Sequence, residues 1–338
     1  MKISKKITVI DMHTAGEAAR LITDSVPRIY GKTMAEKREY LENNYDDVRK
    51  IVMHEPRGHN DMFGAFITEP VHDEADYGII FMDTGGYLNM CGHNTIAAMT
   101  AAVEQGWVEV EEGNHEVKVV QDTPAGIVCG TAYLDEDYSV SSVSFENVDA
   151  FLYKEGVSID IPDLGKITID ISFGGSFFAL IDAKEINMGI GPENSSKFSE
   201  LGMKILKAVN EQVNVQHPTL EQINTVDLVE FYGPAASKDA DYQNVVVFGK
   251  GSVDRSPCGT GTTAKLAALY SKGEMGTGDK FVNESILKTK FTGEIIKKTE
   301  VGEYNAIIPR ISGAAFITGY NEFLVDPKDP LSGGFILR

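Results

Sequence analysis

The sequence predicts an α/β protein of the α+β type, built as two pseudo-symmetric domains, each a mostly antiparallel sheet wrapped around one central helix. Three observations predict it. The chain has 338 residues, beyond the roughly 100–200 of a single ordinary domain. Its 42% apolar and 24% charged residues are enough to bury large cores without disulfide or metal staples. A strand–loop–cysteine–helix pattern occurs twice, almost half a chain apart, and internal repeats decide an architecture before local propensity does.

The first copy reads Gly78-Ile79-Ile80-Phe81, nine further residues, then Cys91-Gly92-His93-Asn94-Thr95-Ile96-Ala97. The second reads Val245-Val246-Val247-Phe248, nine further residues, then Cys258-Gly259-Thr260-Gly261-Thr262-Thr263-Ala264. Counted from each cysteine, identities fall at −10 (Phe), 0 (Cys), +1 (Gly), +4 (Thr), +6 (Ala), +10 (Ala101 and Ala268) and +15 (Gly106 and Gly273). Ile79–Phe81 and Val245–Phe248 are short apolar runs rich in β-formers and read as buried strands. The stretches Ile96–Val103 and Ala264–Leu269 are apolar nearly all round, which places each helix inside a core. Each should stop at its glycine, Gly106 or Gly273, where a left-handed cap costs least. Cys91 and Cys258 then lie at the first turns of two buried helices.

The upstream parts are less regular. Lys6–Ile10 and Lys166–Ile169 read as strands, each followed by a glycine-bearing turn, His13-Thr14-Ala15-Gly16-Glu17 and Phe173-Gly174-Gly175-Ser176. The acidic, glycine-containing or turn-rich stretches Glu109–Gly113 and Asp135–Tyr138 read as hairpin turns or a linker near the middle. The expected division is residues 1–130 for the half carrying Cys91 and 131–317 for the half carrying Cys258, with about 318–338 returning to the first.

Charge and cysteine usage exclude several classes. The balance is 31 − 50 = −19, with pI near 4.8. Nucleic acid or an anionic membrane as main partner would demand a basic face. The N-terminal apolar run breaks at Asp11, short of a secretory signal, and no stretch approaches the ~18 apolar residues of a membrane span, so a soluble cytoplasmic protein is expected. Three cysteines suit a reducing compartment rather than a disulfide framework, and without a CxxC pair a zinc ribbon is not expected. Cys129, in the strand-like Gly126-Ile127-Val128-Cys129, reads as an inert structural thiol.

A helix start presents free N–H groups and about half a positive charge, an environment that lowers a thiol pKa and binds carboxylates. One such cysteine suggests a nucleophile; a matched pair suggests two-base chemistry, if both helix starts face one cleft. Inverting a carbon that bears hydrogen needs a base on one face and an acid on the other, and two thiols of opposite protonation exchange those roles. Each positioned group contributes roughly 10²–10⁴ in rate. The rest must come from helix N–H donors on the developing carboxylate charge and from excluding water. Pyridoxal phosphate, the alternative electron sink, lacks a Schiff-base lysine in a phosphate-binding context here, so no cofactor is expected.

Other motifs carry less. His54-Glu55-Pro56-Arg57-Gly58-His59 is not H-E-x-x-H, and Pro56 argues against one helix carrying both histidines, so no metal is expected. Gly259–Lys265 lacks phosphate-loop spacing, and Phe173–Phe177 is not a serine-hydrolase elbow.

Met90-Cys91-Gly92-His93-Asn94-Thr95 and Asp254-Arg255-Ser256-Pro257-Cys258-Gly259-Thr260-Gly261-Thr262 resemble the two signature motifs of the proline racemase family. Asp11–Glu17 and Glu55–Gly64 resemble its other blocks, and the likeness runs along the chain to the ending Gly333-Gly334-Phe335-Ile336-Leu337-Arg338. The resemblance is closest to racemases of the clostridial type. It implies a fold similar to diaminopimelate epimerase, no cofactor, a site between two domains and a homodimer. It puts the catalytic thiols on Cys91 and Cys258, and the carboxylate-binding backbone amides on Gly92, His93, Gly259 and Thr260. The side chains of His93 and Asp254 fall near the substrate amine, and Phe63 and Phe248 on the wall around the pyrrolidine ring. Dehydratases of the family usually carry Thr at the Cys258 position, and hydroxyproline epimerases a polar residue at that of Phe63. An apolar Phe63 would leave a substrate hydroxyl unpartnered, a cost on the order of 1–3 kcal/mol.

The expectation is therefore interconversion of L- and D-proline. A 4-hydroxyproline 2-epimerase is the alternative within the family. Outside it stand a redox protein with a Cys91/Cys258 disulfide and a non-catalytic amino-acid binder.

Overall fold

The computed structural model describes residues 3–24, 28–221 and 223–337; Met1, Lys2 and the final Arg338 of the quoted ending lie outside them. The chain divides into two compact units, Met1–Phe145 with Ala314–Arg338, and Glu146–Gly313. The first unit runs past the expected 130/131 boundary because Gly126–Leu134 and Val140–Glu146 continue the ladder begun by Glu116–Thr123. The chain re-enters this unit at Ala314, since Ala315–Val325 pairs along the whole of Lys5–Thr14.

Four α-helices occur among the described residues: α1 (Met34–Met53), α2 (Gly92–Glu104), α3 (Ser195–Gln212) and α4 (Gly259–Ser271). In the first unit the strand order is 315–325, 5–14, 17–24, 63–68, 77–83, 116–123, 126–134, 140–146, with the short 87–88 beside 77–83. In the second the order is 150–161, 165–173, 177–182, 226–234, 242–248, 280–284, 290–301, 304–313, with 252–253 beside 242–248. This second ladder closes on itself through Phe151 and Ala306. Each order contains two parallel pairings at matching places, 17–24 with 63–68 and 77–83 with 116–123, then 177–182 with 226–234 and 242–248 with 280–284. The remaining pairings in those orders are antiparallel. The two topologies are the same, except that the strand opening the second unit has its counterpart at the end of the chain.

The buried helices are α2 and α4, enclosed on nearly every face, as their mostly apolar runs require. Every residue from His93 to Val103 is buried, and so is every residue from Gly261 to Leu269. Both end where expected, with Gly106 at φ 68° and Gly273 at φ 73°. The N–H groups of Trp107 and Glu274 return to the carbonyls of Ala102 and Leu269 and close each last turn.

Each unit also has an outer helix that the sequence reading did not anticipate. In α3 the buried Phe198, Gly202, Ile205, Ala208 and Val209 form one stripe, which packs with Phe177, Ala179 and Ile181. The intervening Phe178 and Leu180 point the other way and pack with Ala264 and Ala268 of α4. A strand covered by a helix on both faces is apolar throughout, hence Phe177-Phe178-Ala179-Leu180-Ile181 without alternation. In the first unit α1, capped by the Thr33 hydroxyl accepting from Glu36 N, lays Leu41, Val48, Ile51 and Val52 over Ile22, Phe66, Ile80 and Met82.

Candidate active site

Cys91 is the N-cap of α2, with extended backbone (φ −150°, ψ 114°), and only 8% of it is exposed. Its Sγ lies 3.5 Å from Nδ1 of His93 and accepts from the Asn94 amide at 3.4 Å. The His93 ring meets Phe63 edge to face, centroids 4.8 Å apart. The His93 carbonyl accepts from the Thr14 hydroxyl at 2.7 Å, which pins the first turn to the end of strand Lys5–Thr14. Gly92 is the first residue of α2. Phe63, Cys91, Gly92 and His93 thus gather at one helix start.

Cys258 is the N-cap of α4 and is 7% exposed, but its backbone is turned to φ 60°, ψ 112°. The preceding segment is tightly organised. Asp254 Oδ1 accepts from both the N–H and the hydroxyl of Ser256 (2.8 Å each), and Ser256 Oγ accepts from Cys258 N at 3.1 Å. The sulfur accepts from Gly261 N at 3.4 Å and lies 3.5 Å from Thr260 Oγ1. Phe248 packs, half-buried, against the cluster that contains Cys258 and Val246. Asp254, Cys258, Gly259, Thr260 and Phe248 therefore gather at the second helix start.

The expectation that a helix start lowers the thiol pKa does not hold at Cys258. Burial, then the Asp254 and Glu230 carboxylates, push it well above the ordinary thiol value, and the bonds from Thr260 and Gly261 offset this only in part. Cys129 also departs from expectation: strand alternation turns it outward and it is exposed, so it is no part of a core. The glycine-rich run Gly259–Lys265 is the opening of α4 rather than a loop, and Lys265 is buried over the Tyr232 ring. His54 and His59 have separate local roles, His54 Nε2 at the Thr84 carbonyl (3.0 Å) and His59 Nδ1 accepting from Asp61 N (3.2 Å). The block around Glu55 and the chain's ending meet, since Glu55 and Phe335 exchange backbone hydrogen bonds and Asn60 donates to the Leu337 carbonyl.

Several residues behind the helix starts escaped the sequence reading. The threonine at +4 from each cysteine accepts a buried amide, Thr95 from Gln121 (2.9 Å) and Thr262 from Asn283 (3.0 Å). The next residue along each strand is a buried carboxylate holding a loop. Asp122 Oδ2 accepts from the N–H groups of Val71 and His72 (2.8 and 2.9 Å), and Glu284 Oε2 from those of Ala236 and Ser237 (2.8 and 3.2 Å). Asp76 and Asp241 complete the match by accepting from Val120 N and Val282 N at 2.7 Å each. The signal was present in Ala75-Asp76-Tyr77 and Ala240-Asp241-Tyr242, and in Val120-Gln121-Asp122 and Val282-Asn283-Glu284. Tyr77 stands four residues before Phe81 and Tyr242 six before Phe248, so a fixed-spacing comparison passes over it.

The sequence matches the family described as "Proline racemase" over residues 9–336. It is 56% identical to the proline racemase of Clostridioides difficile, covering 100% of both chains. It is 43% identical to a trans-3-hydroxy-L-proline dehydratase of Bacillus cereus, again over 100% of both. A crystal structure of a probable proline racemase from Agrobacterium radiobacter superposes with TM-score 0.86 at 33% identity, covering 98% of this chain and 96% of the other. No helix among the described residues is long and apolar enough to cross a membrane. Matched from end to end, and sharing more than half its residues with a named racemase, the chain belongs to the proline racemase family.

Proposed function

We propose that the protein is a proline racemase that interconverts L- and D-proline with two thiols and no cofactor. The observation that carries the proposal is the duplicated placement of Cys91 and Cys258, each the buried N-cap of the central helix of its unit. Proton transfer between sulfur and carbon needs no more than one thiolate and one thiol. The reaction requires that a thiolate take the α-hydrogen from one face of proline, leaving its electron pair on Cα and the carboxylate. The opposite thiol then gives its proton to the other face. The sulfurs end with roles exchanged, ready for the reverse reaction. Burial and the neighbouring carboxylates raise the proton affinity of Cys258, which favours its protonated form at rest.

The backbone amides of Gly92, His93, Gly259 and Thr260 would take the carboxylate, where charge grows during deprotonation. Asp254, buried at the second helix start, would pair with the cationic ring amine, and His93 would face the same amine. Phe63 and Phe248 would wall the pyrrolidine. Two features favour proline over its hydroxylated relatives: a cysteine rather than threonine at 258, and an apolar, buried Phe63 with no group to meet a hydroxyl. The higher identity to the racemase than to the dehydratase points the same way. The working form would be a homodimer in the cytoplasm.

The test is incubation with L-proline in heavy water while following optical rotation and deuterium at Cα. Racemisation with deuterium entering the D-product is the expected result. Binding without deuterium incorporation would leave only an amino-acid binder, and a clear preference for 4-hydroxyproline at equal concentration would make the protein an epimerase.

A further inference from the structure

We propose that Glu230 and Asn244 are a buried positioning pair for Cys258, holding the peptide on its N-terminal side and setting a carboxyl group beneath the first turn of its helix. The inference deepens the proposed function and rests on the acid–base role given there to Cys258. Glu230, on the strand Val226–Pro234, is fully buried, and its Oε1 accepts from the Asn244 amide at 2.9 Å. The same amide nitrogen donates to the Pro257 carbonyl at 2.8 Å, using both of its hydrogens. That carbonyl also accepts from the Thr262 hydroxyl at 3.2 Å. The peptide joining Pro257 to Cys258 is thereby gripped from a strand and from the helix. A non-glycine residue at positive φ is strained and persists only when its surroundings over-determine it. Here the grip on Pro257 and the Ser256–Cys258 bond do so.

The second oxygen of Glu230 makes no hydrogen bond of good geometry among the described residues. It lies where a β-carbon on Gly261 would stand 2.8 Å away, and that same β-carbon would come within 3.2 Å of Cys258 Cβ. Glycine at 261 lets carboxyl and cysteine share the turn whose N–H reaches the sulfur. Four groups face Glu230 from the surrounding elements: Lys265 from α4, Asn244 from Tyr242–Phe248, Asn283 from Lys280–Glu284, and Asp254 from the segment before α4. Burial outweighs the stabilising neighbours Asn244, Lys265 and Asn283 and pushes the Glu230 carboxyl up to about 7. Above that pH its charge favours the proton on Cys258. No group in the mechanism needs Glu230 to touch substrate; its effect passes through Asn244 and the helix turn.

The test uses the full chain and two variants, each checked for folding by circular dichroism. Alkylation of Cys258 by iodoacetamide is followed against pH by peptide mass spectrometry. Glu230→Gln keeps shape and removes charge, and is expected to lower the apparent Cys258 pKa. The alkaline limb of the proline activity profile should move to lower pH with it. Asn244→Ala is expected to lower kcat on the order of 10²-fold by misplacing the thiol, with KM for proline little changed. An unmoved Cys258 titration in folded Glu230→Gln, or an unchanged kcat in folded Asn244→Ala, overturns the proposal. Alkylation reports on the thiol whether or not proline turns over, so absence of deuterium exchange in the unmodified protein would defeat the function and leave this measurement readable.

Discussion

The starts of α2 and α4 occupy the same place in the same topology, and they treat their cysteines differently. Cys91 has ordinary extended backbone and takes its amide donor directly from Asn94, with the His93 ring beside it. Cys258 is turned to positive φ, its donor is the Gly261 backbone, and the neighbouring charges are the carboxyls of Asp254 and Glu230. Behind both, the supports agree nearly atom for atom: a threonine at +4 bound by a strand amide, a buried carboxylate holding a loop, an aspartate closing the next strand. Duplication has kept the frame that builds the helix start and let the charge around the sulfur diverge. The proposed two-thiol reaction fits that division. Its two sulfurs must be equivalent in reach, yet at any instant one must hold a proton that the other lacks.

The largest effect should come from the sulfurs themselves. Cys91→Ser and Cys258→Ser should each lower racemisation by at least ~10²–10⁴, since a hydroxyl is a far poorer base at neutral pH. Polarimetry with both enantiomers checks this. Comparable losses in both variants are the signature of a two-base reaction; a variant that kept most of its activity would break the equivalence. Activity should be bell-shaped in pH, and the two apparent pKa values would belong to the pair jointly.

Next come the carboxylates that hold the loops. Asp122→Ala and Glu284→Ala each orphan two backbone N–H groups, and each should cost on the order of 3–5 kcal/mol, read as a fall in Tm. The pH dependence on the Glu284 side has a definite sign. Although burial pushes its carboxyl up, the bonds from Ser237 and the backbone N–H groups of Ala236 and Ser237 win and hold it below the usual carboxylate range. A lowered folded pKa contributes stability above the unfolded value of about 4.3 that is lost as pH falls through the folded one. Glu284→Gln should therefore flatten the acid limb of the stability curve below about pH 4.

How much of this was legible depends on whether the cause is local. The all-apolar runs after Cys91 and Cys258 announce buried helices, and Gly106 and Gly273 their ends, because each signal lies within a few residues of its effect. The outer helices were harder to read. The strands between the layers are buried on both faces and show no alternation, so nothing in Phe177–Ile181 points to a covering helix such as α3. Only part of what raises the proton affinity of Cys258 lies in its motif: burial, the largest cause, is not local, whereas Asp254 stands four residues before the sulfur. The helix start argues for a lowered value, and a second carboxyl that helps reverse it, Glu230, sits on a strand distant in sequence and meets the turn only through the space left by Gly261. Cys129 failed for a simpler reason, since a four-residue apolar run does not reveal which of its faces is covered.

The smallest expected difference sharpens the comparison most. Thr95→Val and Thr262→Val each remove the hydroxyl that accepts a buried strand amide, from Gln121 or Asn283, and each should cost about 1–3 kcal/mol of stability. As supports of the frame, the two should be nearly equal in Tm. They should differ in activity. Among the described residues the Thr95 hydroxyl otherwise reaches only Met90 Sδ at 3.6 Å, whereas that of Thr262 donates to the Pro257 carbonyl, which fixes the peptide preceding Cys258. Thr262→Val should thus lower kcat severalfold more than Thr95→Val at matched stability, with KM little changed. Equal kcat values would mean that the grip on Pro257 is redundant and that positive φ at Cys258 is maintained without it.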